Sequence, residues 1–402
     1  MKRVLFILDG ASDEALPELG GQTPLEAAST PHLDFLAGQG SLFRLQTAFS
    51  AFPVESLVCI MGILGYDPAR YYPHGRASIE ALARGIPLQT GDLALRCNIV
   101  KVSANGAVLL DPTAGMISDA HAQELLLRAK LPGPDWELYP GQSYRNLLII
   151  KNALQGAPYP ASELICSPPH MHVGENIRDL LPTGARPRAR ELAAQLSSFL
   201  LDSFDRLSSR PRPEGCDGNM LWVWSASTFP NIPSFYERRG LRGCIVAGLD
   251  CMRGLGMACA MESAVVPGAT GCMNTDYTAK AEAAIAALRG FDLVVVHVNA
   301  PDEAAHQRDS RAKVAAIERA DRFVIAPVLR CLRETFSGAF TVAVCADHMT
   351  RCRDGKHVGE ATPCVIYCGK SPAAGGRGGR LTENAAKAAP LLPSLNFLEK
   401  FC

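Results

Sequence analysis

The stretch LVVVHVNAPDEAAH, running from Leu293 to His306, decides the fold. It opens with four aliphatic residues in a row, a pattern polar on neither face. Such a run reads as a central strand of a parallel sheet covered by helices on both sides. It then breaks into the polar residues His297, Asn299 and Asp302. Two other runs end the same way: VLFIL (4–8) stops at Asp9, and Phe340–Cys345 stops at Asp347 and His348. Helical patterns lie between these strands. In Thr23-Pro24-Leu25-Glu26, threonine can cap, proline suits the first turn and glutamate can reach back to the cap. Residues 276–288 are Ala-rich and amphipathic just ahead of a strand. Alternating strands and helices predict a doubly wound α/β domain. Ligands of such sheets bind beyond the carboxyl ends of the strands, which is where these polar residues fall.

A chain of 402 residues is longer than one hydrophobic core usually supports, so two domains are expected. Residues 89–175 carry shorter strand candidates (93–100 and 147–151), a helix near 119–130 and many glycines and prolines. They read as a smaller α+β domain inserted into the first, which then comprises residues 1–88 and 176–402. A helix is expected near 188–207, and the segment 208–218 reads as a linker. Forty basic residues balance forty acidic ones, which argues against a nucleic-acid or anionic-membrane surface but allows a local arginine cluster for a small anion. The fourteen cysteines form no Cys-x-x-Cys pair and read as reduced, mostly buried side chains. The first apolar run is too short for a signal peptide, and no run is long enough to span a membrane. A soluble, cytoplasmic protein is expected.

Four clusters carry chemistry: Asp9, Ser56, Asp302-x-x-x-His306, and Asp347-His348 with His357. A mixed carboxylate and imidazole set suits divalent transition-metal ions. Asp302 and His306 share a face if a helical turn begins there. Two such ions can clamp a phosphoryl group and lower the pKa of a hydroxyl, which would activate Ser56 without a neighbouring base. Taken singly, each residue has a plainer role: Asp9 as a turn cap, Asp-His as a turn, D-x-x-x-H as a solvated helix face. Their coincidence at strand ends favours the metal site. His297 alternates into its strand and is expected to be a packed core residue, as is Cys345.

Read together, LFILDG, GGQTPLEAASTPHLDFLAGQG, ILGYDP, LALRCNIV, VPGATG-x3-TDYTAKAEAA, VVHVNAPDEAAH, ADHMTRCRDGKHVG and TPCVIY resemble the archaeal-type, 2,3-bisphosphoglycerate-independent phosphoglycerate mutases of the alkaline phosphatase superfamily. The resemblance runs from residue 1 to about 370. It implies an alkaline-phosphatase-like α/β core with an inserted domain that caps the substrate. It also implies two divalent ions, Mn2+ foremost, with Mg2+, Zn2+ or Co2+ possible. Asp9, Ser56, Asp347 and His348 would serve one ion, and Asp302, His306 and His357 the other. Ser56 would accept the phosphoryl group from 3-phosphoglycerate and return it to the other hydroxyl. Arg76, Arg96, Asn98, Arg145 and Lys280 resemble positions that hold the carboxylate and phosphate of such a small acid, a task suited to the fork of arginine.

The sequence also departs from the family. Leu57 to Ile60 are apolar where polar groups are common, Met116 and Met257 stand at arginine positions, and Met171 stands at an acid position. A related phosphatase or phosphotransferase acting on another small anion is the alternative reading. A non-catalytic metal-binding relative is a third, which retention of all seven candidate site residues opposes.

Overall fold

The computed structural model describes residues 1–153, 163–209, 215–370 and 379–402, so part of the expected 208–218 linker lies outside the described residues. The chain divides into two compact units, one formed by residues 1–72 with 232–402 and the other by residues 73–231. The first holds an eight-stranded sheet. Its spatial order is Glu262–Ala264, Gly243–Val246, Leu293–Val298, Lys2–Leu8, Phe340–Cys345, Thr362–Cys368, Ser41–Gln46 and Leu391–Pro393. Thr362–Cys368 is antiparallel to both its neighbours, whereas every other pairing is parallel.

The expectation of continuous burial holds along the central strands. Val4, Phe6 and Leu8 join one core with Val294, Val296 and Val298 and with residues of the helices Pro31–Gln39, Tyr277–Ala287, Ser310–Ala320 and Ala326–Phe336. The alternate residues Leu5 and Ile7 are equally buried on the other face. Each aliphatic side chain so removed from water contributes about 1.5–3 kcal/mol. Local signals agree with this packing. Thr23 and Glu26 form the reciprocal capping box, and Asp276 caps Tyr277–Ala287 by accepting from the Ala279 N–H.

Leu293–Val298, Lys2–Leu8 and Phe340–Cys345 lie side by side in parallel. Their register sets Leu8 opposite Val298 and Ile7 opposite Cys345, so the three strands end together. Asp9, Asn299–Asp302 and Asp347–His348 therefore leave the sheet along one edge. The chain forms the central strand first and adds its two neighbours much later, so the winding reverses at this point, as at a topological switch.

The second unit is α+β. Leu93–Val102 pairs antiparallel with Arg145–Ile150 on one side and with Met220–Thr228 on the other. The helix Pro187–Ser208 buries Leu192, Ala193, Leu196, Phe199, Leu200 and Leu207 in the same core as that sheet. Their spacing of three and four residues is the helical period. The segment 89–175 read as the insert falls within this unit, which also takes in the helix Ala77–Ala83 before it and Pro187–Ser208 and Met220–Thr228 after it. The long-range pairing of Leu93–Val102 with Met220–Thr228 draws the later segments in, and no local turn signal announces it. Among the described residues, no helix is long and apolar enough to cross a membrane.

Candidate metal centre

Asp9, Asp302, Asp347 and His348 are all buried at the carboxyl edge of the large sheet. Ser56 opens the helix Ser56–Ile63 and brings its hydroxyl to the same place. Its Oγ is 3.3 Å from Asp9 Oδ1, 3.4 Å from Asp9 Oδ2 and 3.2 Å from His348 Nε2. Asp302 and His306 lie one turn apart on the helix Ala300–His306, with His306 Nε2 3.2 Å from Asp302 Oδ2. His357 comes from a short ribbon, Met349–Arg351 paired with Lys356–Val358, and its Nε2 is 3.5 Å from Asp302 Oδ1. All seven residues singled out in the sequence thus converge within the first unit.

Hydrogen bonding fixes which ring nitrogens carry protons. His306 Nδ1 lies 2.9 Å from the Gly355 carbonyl and His357 Nδ1 lies 2.8 Å from that of Val54. A carbonyl only accepts, so both Nδ1 atoms carry hydrogen, and in the neutral rings both Nε2 atoms present lone pairs. Those two atoms face each other at 3.0 Å beside the Asp302 carboxylate. Two facing lone pairs and a carboxylate form the donor set of a divalent cation. Asp302, His306 and His357 have ligand atoms close enough to share one ion, as do Asp9, Asp302 and His348.

Charge points the same way. Burial, aided by the neighbouring Asp347 and Asp302, raises the Asp9 carboxyl well above its usual range. Burial would also raise Asp302, but hydrogen bonds from His306 and His357 outweigh it and hold that carboxyl well below. His306 is raised by its hydrogen bond to Asp302. His357 is lowered by burial and raised more strongly by Asp302 and the Val54 carbonyl, for a net rise. Burial depresses His348. Three buried carboxylates close together need positive charge, and a cation supplies it where otherwise a proton must.

Sequence reasoning passed over two features. His297 is buried, as a core residue would be, yet its Nε2 is 3.1 Å from Asp9 Oδ2, and Asp9, His297 and Asp347 form a third possible ligand group. Neither His297 nitrogen, nor Asp347 Oδ2, makes a well-aligned hydrogen bond among the described residues, the close approach of His297 to Asp9 included. Burial depresses the His297 imidazole to about 4. The strand pairing of His297 with Ile7 carries the ring to the site, a register that the strand's own alternation does not reveal.

Gly10 is the second. Its φ is +59°, and an added Cβ would sit 2.6 Å from both Asp302 Oδ1 and Thr350 Oγ1. Gly10→Ala is therefore expected to cost about 1–3 kcal/mol through left-handed strain and this clash. A lowered urea midpoint measures it, and an unchanged midpoint counts against the close packing.

The other expected residues lie elsewhere. Lys280 is fully buried and donates to the His297 carbonyl at 3.1 Å, and burial lowers its ammonium to about 8. It supports the strand that carries His297 and does not face open solvent. The remaining four belong to the second unit. Arg96 pairs with Glu80 at 2.9 Å and lies over the Trp224 ring, while Asn98 accepts from Trp224 Nε1 at 3.1 Å. Arg145 lies opposite Asn98 in the strand pairing, and the Arg76 N–H donates to Ser225 Oγ. Arg96 and Asn98 thus share a strand flanked by those that carry Arg145 and Ser225. Leu57 through Ile63 are all buried, which accounts for the apolar run after Ser56. Met116, Met171 and Met257 are exposed, and nothing in the structure explains them.

Fold and site together place the chain among α/β enzymes that gather carboxylates and imidazoles at the carboxyl edge of a parallel sheet. A family model described as 2,3-bisphosphoglycerate-independent phosphoglycerate mutase matches residues 37–212. A protein of that name from Methanothermobacter thermautotrophicus is 37% identical over 91% of this chain and 88% of its own length. A probable one from Geobacter sulfurreducens is 33% identical over 96% of each. Among solved structures, a cofactor-independent phosphoglycerate mutase from Thermoplasma acidophilum matches all of this chain and 99% of its own, at TM-score 0.64 and 26% identity. A Pyrococcus horikoshii protein matches with a TM-score of 0.79 and 26% identity, over all of this chain and 96% of its own. The chain belongs to the 2,3-bisphosphoglycerate-independent phosphoglycerate mutases, which are isomerases.

Proposed function

We propose that the chain interconverts 3-phosphoglycerate and 2-phosphoglycerate through a phosphoserine at Ser56. No 2,3-bisphosphoglycerate takes part, and the reaction runs in the cytoplasm. The observation that carries this reading is the meeting of the His306 and His357 Nε2 lone pairs at 3.0 Å beside Asp302, with Ser56 Oγ within 3.4 Å of Asp9 and His348. The donors fit two divalent cations, Mn2+ first, with Mg2+, Zn2+ or Co2+ as alternatives. Asp302, His306 and His357 hold one, and Asp9, Asp347, His348 and Ser56 the other. When bound, the pair neutralises phosphoryl charge and lowers the pKa of the serine hydroxyl.

The protein's own groups do the rest. Ser56 occupies the first turn of its helix, where backbone N–H groups and the helix dipole favour an anion. A phosphoryl group carried on its oxygen therefore sits at the positive end of that helix. Arg76, Arg96, Asn98 and Arg145 are assigned to the substrate's carboxylate and phosphate, which arginine can grip with two parallel hydrogen bonds. Lys280 acts from beneath, through the strand carrying His297. Holding glycerate after transfer lets the phosphate return to its other hydroxyl before water intervenes.

The test is turnover of 3-phosphoglycerate by protein loaded with Mn2+, following 2-phosphoglycerate and free phosphate in parallel. Formation of 2-phosphoglycerate without added bisphosphoglycerate is the expected result. Phosphate release with no 2-phosphoglycerate would overturn the mutase reading in favour of a phosphatase. Tight Mn2+ binding with no turnover of any kind would leave a metal-binding protein only.

A further inference from the structure

The two proposed ligand sets are joined by one hydroxyl that neither set includes. Thr350 is fully buried. Its Oγ1 donates to Asp302 Oδ1 at 2.6 Å and lies 3.1 Å from His348 Nδ1. A hydroxyl has one proton, and the carboxylate can only accept it, so the remaining lone pairs of Oγ1 must accept from His348 Nδ1–H. That bond fixes the His348 tautomer and turns a bare Nε2 toward Asp9 and Ser56, 3.4 Å and 3.2 Å away. The hydroxyl's own bond to Asp302 holds the carboxylate shared by His306 and His357.

The backbone of Thr350 is equally tied. Its N–H donates to the Ser12 carbonyl and its own carbonyl accepts from Lys313 Nζ. It also stands opposite His357 in the ribbon register. Side chains that orient ligands from behind commonly change cation affinity 10–100-fold when removed.

We propose that Thr350 is a positioning residue for both cation sets at once, so that occupancy of the two positions is coupled through its hydroxyl. The inference rests on the two-cation reading above. Thr350→Val keeps the shape and removes both hydrogen bonds, while Thr350→Ser keeps the hydroxyl. Nitrogen-15 NMR of the metal-free protein reports the His348 tautomer directly, without any activity. Calorimetric titration with Mn2+ then reports affinity at each position.

Wild type and Thr350→Ser are expected to carry the His348 proton on Nδ1 and to bind two Mn2+ within about threefold of each other. Thr350→Val is expected to lose that tautomer preference and to bind at both positions at least about tenfold more weakly. A wild-type His348 protonated on Nε2, wild-type affinity in Thr350→Val, or a loss at one position alone would each overturn the proposal. Absence of any Mn2+ binding by wild type would overturn the two-cation reading along with it. Two wild-type sites that ignore Thr350→Val would overturn the Thr350 proposal and leave the two-cation reading standing.

Discussion

Ser56→Ala is expected to abolish mutase turnover, with a loss of at least about 10⁴-fold, because no neighbouring side chain can replace the oxygen that takes the phosphate. Ser56 Oγ is the hydroxyl that lies between Asp9 and His348. Thr350, the other hydroxyl of the cluster, is committed to Asp302 and His348. The variant should fold normally, since a small, partly exposed side chain is lost at a helix start. It should also still bind Mn2+, because Asp9, Asp347 and His348 remain. Two measurements separate the nucleophile from a mere ligand. Acid-quenched turnover should trap phosphate on the Ser56 peptide in wild type and on no peptide in the variant. Turnover of the variant within tenfold of wild type would remove Ser56 from the reaction path.

Much of this site is readable in the chain because a parallel sheet gives sequence-local signals. An aliphatic run announces a buried strand, and the polar residue that ends it marks the carboxyl edge, as at Asp9, Asp302 and Asp347. The i, i+4 spacing likewise foretells that Asp302 and His306 share a helical face. What the chain conceals depends on register and on distant partners. His297 looks like core packing until the pairing of Leu293–Val298 with Lys2–Leu8 sets its ring beside Asp9. Thr350 looks like any threonine of a short strand until Asp302 arrives from 48 residues away in sequence. The second unit reaches from Pro73 to Asn231 because antiparallel partners far apart in the chain close one sheet, and local composition does not record such closure. Lys280 is a different case: its motif implies a place at the substrate, and the structure shows its ammonium buried against the His297 carbonyl.

Lys313 shows how much the loops bearing the ligands depend on a group outside the site. It lies on the helix Ser310–Ala320 and is wholly buried. Its Nζ donates to Asp13 Oδ2 at 2.9 Å, to the Ser12 carbonyl at 3.0 Å and to the Thr350 carbonyl at 2.6 Å. All three ammonium hydrogens are thus used. The lysine fastens the segment after Asp9 to the segment after His348. Asp13 Oδ2 accepts in addition from the Cys352 N–H at 3.0 Å.

Lys313→Met fills nearly the same volume but leaves the buried Asp13 without its cation and takes one donor from each of the Ser12 and Thr350 carbonyls. Breaking one side of a buried pair costs about 3–5 kcal/mol, a large part of a typical folding margin of about 5–15 kcal/mol. A urea or thermal unfolding series measures the loss. Removing both partners in Asp13→Ala with Lys313→Met should recover part of it, because no buried charge is then stranded. A loss below about 1 kcal/mol in the single variant would mean that the pair behaves like a surface contact. In whatever fraction of Lys313→Met folds, Mn2+ affinity should also fall, since the Ser12 and Thr350 carbonyls that lock the two ligand loops together have lost their shared donor.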